Sequence, residues 1–263
     1  MNRDYTIVLW LLKLGGLTNL YFLVSTFALA SVDANAYINV PAQILFSVSA
    51  YRCLFPVRYE HSVVFHDSIF SSVFVTRLLA TFSEIAYIFL FSQVLRQLNV
   101  EQVEWVTVLS WLMVAQVVIS QIFVWAAVLT GRLMLYFYEE LGWALIFAMN
   151  AAAGLWVDRG GDAFVDGQIL LGLNLVFGAV YLPWQFFHLR FLRANARRDT
   201  RSTLAGSLST RLSDGLRRSI EVKNRQTDAE SWGGWIGLSW MTAYWAALIP
   251  VWVYYIVKLL HAH

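Results

Sequence analysis

Residues 58–84 read RYEHSVVFHDSIFSSVFVTRLLATFSE, a polar segment that becomes an apolar run without losing its ionisable side chains. The apolar part has the character of a membrane-spanning helix, yet it carries Arg77 and Glu84. Ionisable side chains are costly inside a bilayer, so they usually face a bundle interior and mark a functional site. The remaining segments are therefore expected to supply partners for these two charges.

The composition around this stretch is that of a polytopic membrane protein. Of the 263 residues, 59% are hydrophobic and 14% are charged, whereas soluble domains are about half apolar and about a quarter charged. Aromatic residues make up 16% of the chain, as expected where they anchor spans at the lipid interface. The single cysteine, Cys53, excludes an internal disulfide and a cysteine-rich metal site.

Seven apolar stretches approach the roughly 20 residues that a membrane-spanning helix requires. They cover residues 5–30, 38–55, 68–95, 103–129, 135–157, 165–191 and 232–260. The second is the shortest and carries Pro41 in its first turn, where proline is tolerated. The sequence therefore predicts an all-α integral membrane protein with one domain, residues 1–263, built as a bundle of about seven transmembrane helices.

Arginine and lysine in the connecting segments predict the orientation, because cytoplasmic loops carry an excess of both. The most basic segment is the predicted cytoplasmic loop 193–230, between the sixth and seventh spans. Counting back over seven spans places Arg132, Arg58 and Arg52 on the same side. The N-terminus is then cytoplasmic and the C-terminus lies on the opposite side. We expect a bacterial inner membrane or an equivalent intracellular membrane.

The basic loop has an internal repeat. Its aliphatic residues recur every four positions, interleaved with arginines: Leu204, Leu208, Leu212, Leu216 and Ile220. This pattern predicts an amphipathic helix on the cytoplasmic leaflet. A disordered basic linker is the other interpretation, given the glycine and serine content. Neither points to nucleic acid as a partner, because cytoplasmic loops of membrane proteins are basic in any case.

Polar residues also recur at helical spacing inside the spans. Arg77 and Glu84 are two turns apart, farther than the one-turn spacing at which neighbouring side chains of a helix usually pair. Each is therefore expected to need a partner on another helix. The best placed are Glu139, Asn150, Asn174 and Tyr181 of the fifth and sixth spans. The sequence leaves open whether these residues join helices by hydrogen bonds or line a hydrated cavity.

The predicted topology places several polar residues at a similar depth on the cytoplasmic side. They precede the third span, begin the fifth and end the sixth: His61, His66, Asp67, Glu139, Glu140, Gln185 and His188. We expect them to converge on a polar pocket. The ligand-binding candidates are His66, Asp67, Arg77, Glu84, Glu139, Asn150, Asn174, Tyr181, Gln185 and His188.

Four functions fit such a pocket. The leading one is binding or handling of a lipid-like or small amphipathic ligand, with Arg77 neutralising an anionic head group. The second is a membrane enzyme that uses a divalent metal, with His61, His66 and His188 as candidate ligands. The third is transport of a small solute or ion. The fourth is a structural subunit, with a membrane-protein partner or a second copy of the chain.

The histidine and aspartate inventory and the span count resemble those of seven-helix membrane hydrolases related to ceramidases and adiponectin receptors, which hold zinc with histidines. None of their motifs aligns with this chain, so no residue role follows. Lys258 lies at the very end of the last predicted span, so no retinal Schiff base is expected. The sequence also contains no phosphate-binding P-loop motif and no nucleophile elbow.

Overall fold

A computed structural model describes residues 4–29, 36–160, 165–198 and 207–261, most of which are helical. Within these residues, six helical segments are long and apolar enough to cross a membrane. They are Thr6–Ala28, Val73–Leu98, Glu104–Thr130, Met134–Asp158, Gly167–Arg197 and Gly234–Leu260. The prediction of an all-α, multi-pass membrane protein is therefore confirmed at this level.

The helices follow the predicted spans closely, because long apolar runs satisfy their backbone hydrogen bonds internally. They are α1 (Thr6–Leu29), α2 (Ala36–Leu54), α3 (Val73–Leu98), α4 (Glu104–Thr130), α5 (Met134–Gly160), α6 (Val165–Arg198), α7 (Leu208–Glu221), α8 (Gly234–Met241) and α9 (Leu248–His261). A π-helical segment, Thr242–Ala246, joins α8 to α9, and the three together form the last candidate span.

Helix α2 accounts for the difference between six candidate spans and the seven predicted. It is 19 residues long and contains Pro41 within its first turns and Arg52 in its last turn. Polar residues such as Asn39 and Gln43 lower its mean hydropathy. It packs mainly against α1, and both Pro41 and Arg52 are buried.

The third span begins later than predicted, at Val73 instead of residue 68. Residues Ile69–Ser71 form a 3₁₀ turn, and Ser72 has an extended backbone. The Ser72 hydroxyl accepts a hydrogen bond from the Val75 amide at 3.2 Å. This is N-cap geometry, in which the serine hydroxyl satisfies an amide of the first turn, and it fixes the start of the helix at Val73.

A small sheet, which the all-α prediction did not include, ties distant loops together. Strands β1 (Val57–Arg58) and β2 (Val63–Val64) pair antiparallel, and β2 pairs in parallel with β3 (Asn224–Arg225). Nearby, the Tyr5 amide donates to the Thr227 carbonyl at 2.7 Å. Two-residue strands are too short to leave a periodic pattern in the sequence.

The chain divides into two compact units. The first comprises residues 1–86 and 216–263, and the second comprises residues 87–215. In the first unit, α1 and α2 pack together and also against α9 and the π-helical segment. In the second unit, α5 packs against both α4 and α6. The single-domain organisation stays a prediction.

The predicted basic loop contains more structure than a linker. Helix α6 continues to Arg198, and α7 occupies much of the remainder. The prediction of a helix in this loop is therefore confirmed, whereas its place on the leaflet stays a prediction. Residues 199–206, with Leu204 of the repeat, lie outside the described residues. The same holds for residues 1–3 and 262–263, on which the predicted sides of the two termini depend.

Candidate functional site

Helix α3 carries a buried ion pair within its own length. Arg77 Nη2 lies 2.8 Å from Glu84 Oε2, with only 2% and 7% of the two side chains exposed. Seven residues of helix rise about 10 Å, and the long arginine side chain spans most of that distance. The expectation that each charge would need a partner from another helix is therefore wrong for this contact, because it considered only one-turn neighbours.

Arg52 brings a second guanidinium to the same carboxylate from α2. Its Nη1 lies 3.8 Å from Glu84 Oε1, and its Nη2 lies 3.4 Å from the Tyr59 hydroxyl. Its Nε is buried and has no hydrogen-bond partner among the described residues. A guanidinium has five N–H donors, so the protein groups around Arg52 leave it poorly satisfied.

Aromatic rings enclose these charges. The Arg52 guanidinium carbon lies 4.3 Å from the centroid of the Trp245 ring, and that of Arg77 lies 5.5 Å from the Tyr59 ring. Such contacts stabilise a cation through the negative face of the ring. The indole Nε1 of Trp245 is also buried without an acceptor in the described part of the chain. We call Arg52, Tyr59, Arg77, Glu84 and Trp245 the arginine site.

The π-helical segment brings Trp245 to Arg52. Helix α1 supports this wide turn, because Asn19 Nδ2 donates to the Trp245 carbonyl at 2.9 Å and to the Gly15 carbonyl at 2.7 Å. The approach requires glycine, since a Cβ on Gly15 would lie 2.3 Å from the Cβ of Ala246. Single π turns inside helices occur frequently at functional sites.

His66 has a different neighbourhood in the first unit. Its Nε2 lies 2.7 Å from Lys13 Nζ. An ammonium group can only donate, so Nε2 is the acceptor and the imidazole is neutral. The rings of Phe65 and Trp10 lie 4.5 and 5.9 Å away. Burial, and then the charges of Lys13 and Arg225, lower the pKa of the His66 imidazole.

The second unit joins Gln185 and His188 to Glu140. Gln185 Nε2 donates to the Glu140 carbonyl at 2.8 Å and to its Oε2 at 2.7 Å. His188 Nε2 lies 4.0 Å from Glu140 Oε1, and its ring stacks on Trp184 at 4.9 Å. Sequence reasoning placed Glu139 and Glu140 together at this depth but took only Glu139, which is buried, as a ligand-binding candidate. Glu140 is therefore a site residue that the candidate list left out.

The remaining second-unit candidates act between helices. Asn150 Nδ2 donates to Asn174 Oδ1 at 2.6 Å, which joins α5 to α6 by a buried hydrogen bond. The ring of Tyr181 lies 4.6 Å from that of Phe147. These contacts support interhelical bonding for the polar stripe of α5 and α6.

The ten candidates thus belong to both units, and their convergence on one pocket stays a prediction. His66, Asp67, Arg77 and Glu84 belong to the first unit and the other six to the second. Asp67 and His61 are exposed. Over the described residues, no three His, Cys, Asp or Glu side chains form a group that could hold a metal ion. The divalent-metal hypothesis for His61, His66 and His188 therefore gains no ligand set from this part of the chain.

Sequence reasoning missed three members of the arginine site: Arg52, Tyr59 and Trp245. Arg52 served there only as a marker of the cytoplasmic side. The available signal was its place inside an apolar stretch, two residues before Leu54. Trp245 had no comparable signal, since it is one of 12 tryptophans and depends on the π-helical turn for its position.

Comparison with known proteins found no relative. No protein-family model matches the chain, and no curated protein or solved structure matches it. The functional argument therefore depends on the chain's own side chains.

Replacing Glu84 by glutamine removes the carboxylate that contacts both arginines. Breaking a buried ion pair by removing one partner typically costs about 3–5 kcal/mol, so we expect Glu84→Gln to lower the melting temperature of the purified protein in detergent. The double variant Arg77→Met/Glu84→Leu removes both charges of the 2.8 Å pair and is expected to recover part of that loss. A Glu84→Gln protein that melts like the wild type would contradict this account.

The lowered pKa of His66 predicts a pH-dependent stability. Below the ordinary value of 6.5, the unfolded chain binds a proton at His66 more readily than the folded protein does. The free energy of unfolding therefore decreases as the pH falls through about 6.5. Well above that pH, the His66 imidazole adds no pH dependence to it. His66→Gln keeps an acceptor for Lys13 but does not titrate. The melting temperature of this variant should therefore fall less than that of the wild type as the pH is lowered through about 6.5.

The matched control for this measurement is His61→Asn, an exposed histidine in the same loop. Asparagine is chosen because His61 has a positive φ of 61°, which asparagine tolerates. The control should keep the wild-type pH profile. If His66→Gln also kept it, His66 would not be the titrating group.

Proposed function

We propose that the first unit binds the anionic head group of a lipid-like or small amphipathic ligand at the arginine site. The observation that carries the proposal is the pair of buried donors, Arg52 Nε and Trp245 Nε1, that have no acceptor among the described residues. Buried donors without partners are rare in native proteins and costly. A phosphate or carboxylate oxygen would satisfy both, and an arginine fork suits either anion.

The place of Arg52 in the chain favours a head group over a ligand deep within the bilayer. Arg52 lies in the last turn of α2, directly before the polar segment that precedes α3. Lys13, about two turns into α1, and Arg58, the last residue of β1, belong to the same unit and add positive charge. Ile69 and Phe70, in that polar segment, are exposed and apolar. They are suited to contact the ligand's hydrocarbon part.

In this proposal Arg77 is a positioning residue and Arg52 is the head-group contact. Arg77 holds Glu84 at 2.8 Å, whereas Arg52 contacts the same carboxylate at 3.8 Å. The tighter pair fixes the carboxylate, and the looser one leaves Arg52 donors for an incoming anion. Trp245 covers the guanidinium and keeps water away from it, which strengthens a charge-assisted hydrogen bond.

We also propose the full seven-span topology, with α2 as the second span, a cytoplasmic N-terminus and the C-terminus on the opposite side. Nineteen residues of helix extend about 28 Å, close to the hydrocarbon thickness of about 30 Å. This arrangement places Arg52, Arg58, Arg132 and the basic segment 193–230 on one side, as the distribution of positive charge favours.

The head-group proposal is tested by lipid-dependent stability and binding. Adding phosphatidylglycerol to the detergent-purified full chain should raise its melting temperature more than phosphatidylcholine with the same acyl chains. Arg52→Gln should weaken phosphatidylglycerol binding roughly ten- to hundred-fold, because a hydrogen bond to a charged group contributes about 1.5–3 kcal/mol. Trp245→Phe keeps the ring but removes the indole donor, and a smaller loss is expected. Native mass spectrometry measures the bound lipid directly.

Two controls distinguish the site from general charge effects. Arg132→Gln removes an exposed arginine outside the arginine site and should bind phosphatidylglycerol like the wild type. Inorganic phosphate, which has no hydrocarbon part, should stabilise the protein less than the lipid does. Equal binding by the Arg52→Gln and wild-type proteins would overturn the proposal, and the arginine site would then be a structural ion cluster.

The topology is tested by a reporter at the N-terminus, where the two span counts disagree. With the basic segment cytoplasmic, seven spans place the N-terminus in the cytoplasm, and six spans without α2 place it on the opposite side. A second reporter, fused after residue 263, should lie on the non-cytoplasmic side in both cases and serves as the control. Both termini on the same side would contradict a membrane-spanning α2.

A further inference from the structure

Helix α7 presents an apolar stripe that the described protein leaves uncovered. Leu208, Leu212, Leu216 and Ile220 recur every four residues and are between 38% and 67% exposed. The other side chains of the helix are polar, charged or absent. Exposing four neighbouring aliphatic side chains on one side of a helix to water is unfavourable. Such a stripe therefore marks a surface that contacts an apolar phase.

A close backbone contact at Gly215 locates α7 relative to a candidate span. A Cβ on Gly215 would lie 1.8 Å from the Leu129 carbonyl oxygen, so the two backbones are in direct contact. Leu129 is in the last turn of α4, which ends at Gly131 with a left-handed cap at φ 70°. The ends of membrane-spanning helices lie near the bilayer surface, and this contact therefore places the first half of α7 at that depth.

The segment that follows α7 is tied to a second loop between spans. In the first unit, β3 pairs with β2, so that Asn224 lies opposite Val63. Strand β2 belongs to the short connection between α2 and α3. The chain after α7 is therefore also held at the end of a candidate span.

The charges of α7 and its flank favour an anionic surface. The segment carries Arg211, Arg217, Arg218, Lys223 and Arg225 against only Asp214 and Glu221. Arg217 Nε pairs with Glu221 Oε2 at 2.8 Å in an exposed contact one helical turn apart. Amphipathic helices with basic polar faces bind anionic leaflets through both buried apolar area and charge attraction.

We propose that α7 lies in the plane of the anionic leaflet that borders the spans of this same protein, with its leucine stripe among the acyl chains. The occupant of the stripe is the lipid surface, because the backbone contact at Leu129 and the pairing at β2 hold α7 where spans end. The arginines flank the stripe at head-group level. The helix thereby anchors the segment between α6 and α8 to the membrane, independently of any ligand at the arginine site.

A pair of labelled positions tests this placement in the full chain. Residues two apart on a helix face nearly opposite directions, about 200° apart. Leu212→Cys therefore reports on the stripe and Thr210→Cys on the other side of the same helix. Both positions are exposed and accessible to an environment-sensitive fluorophore. The native Cys53 is buried, and the unmodified chain serves as the labelling blank.

The labelled proteins are compared in nanodiscs of phosphatidylcholine alone and of phosphatidylcholine with phosphatidylglycerol. We expect the Leu212→Cys label to shift to shorter wavelength in the anionic discs and to be quenched by brominated lipids. The Thr210→Cys label should stay accessible to aqueous iodide in both. Adding Arg217→Gln and Arg218→Gln to the Leu212→Cys protein should reverse much of the shift.

Three results would overturn the proposal. The first is a Leu212→Cys label that iodide quenches in anionic discs as strongly as it quenches the Thr210→Cys label. The second is equal burial of the stripe in both kinds of disc, which would remove the role of anionic lipid. The third is burial from iodide without quenching by brominated lipids, which would show that protein covers the stripe.

Discussion

The carboxylate of Glu84 is the group on which the interior of the first unit depends. It contacts Arg77 of its own helix at 2.8 Å and Arg52 of α2 at 3.8 Å, so one negative charge links two helices. Buried charges are tolerated only when they are paired and hydrogen-bonded. The residues around Glu84 are accordingly of two kinds: groups that complete the ion pairs, and aromatic rings that cover the cations.

The π-helical segment follows from the same requirement. A regular helix from Gly234 to Leu260 would place its side chains in a different register along the span, whereas the wide turn at Thr242–Ala246 sets Trp245 over Arg52. Asn19 of α1 donates to the Trp245 carbonyl of this segment at 2.9 Å. Side chains of neighbouring helices commonly satisfy irregular backbone in this way within membrane-spanning bundles.

The two units use their polar residues differently. In the second unit, Asn150 Nδ2 donates to Asn174 and Gln185 Nε2 donates to Glu140. These bonds hold α5 and α6 together. The buried atoms of these two amides that have no partner in the described residues are acceptors, Asn150 Oδ1 and Gln185 Oε1. In the first unit, Arg52 and Trp245 keep donors without acceptors in the described residues. This contrast is the reason for placing the ligand in the first unit and giving the polar stripe of α5 and α6 a structural role.

Sequence alone determined the class of the protein and the places of its long helices, because hydropathy over some 20 residues is a local property. It also identified Arg77, Glu84 and the leucine repeat of α7, since charge within an apolar run and a four-residue period are visible without a fold. Only the tertiary structure decided their partners. The Arg77–Glu84 pair depends on side-chain reach over two turns, and the contact of Trp245 with Arg52 depends on a backbone irregularity. The sheet pairs β2 with β3, two strands of two residues each that lie about 160 positions apart in the sequence. Each of these contacts is a property of three-dimensional packing, and none leaves a period in the sequence.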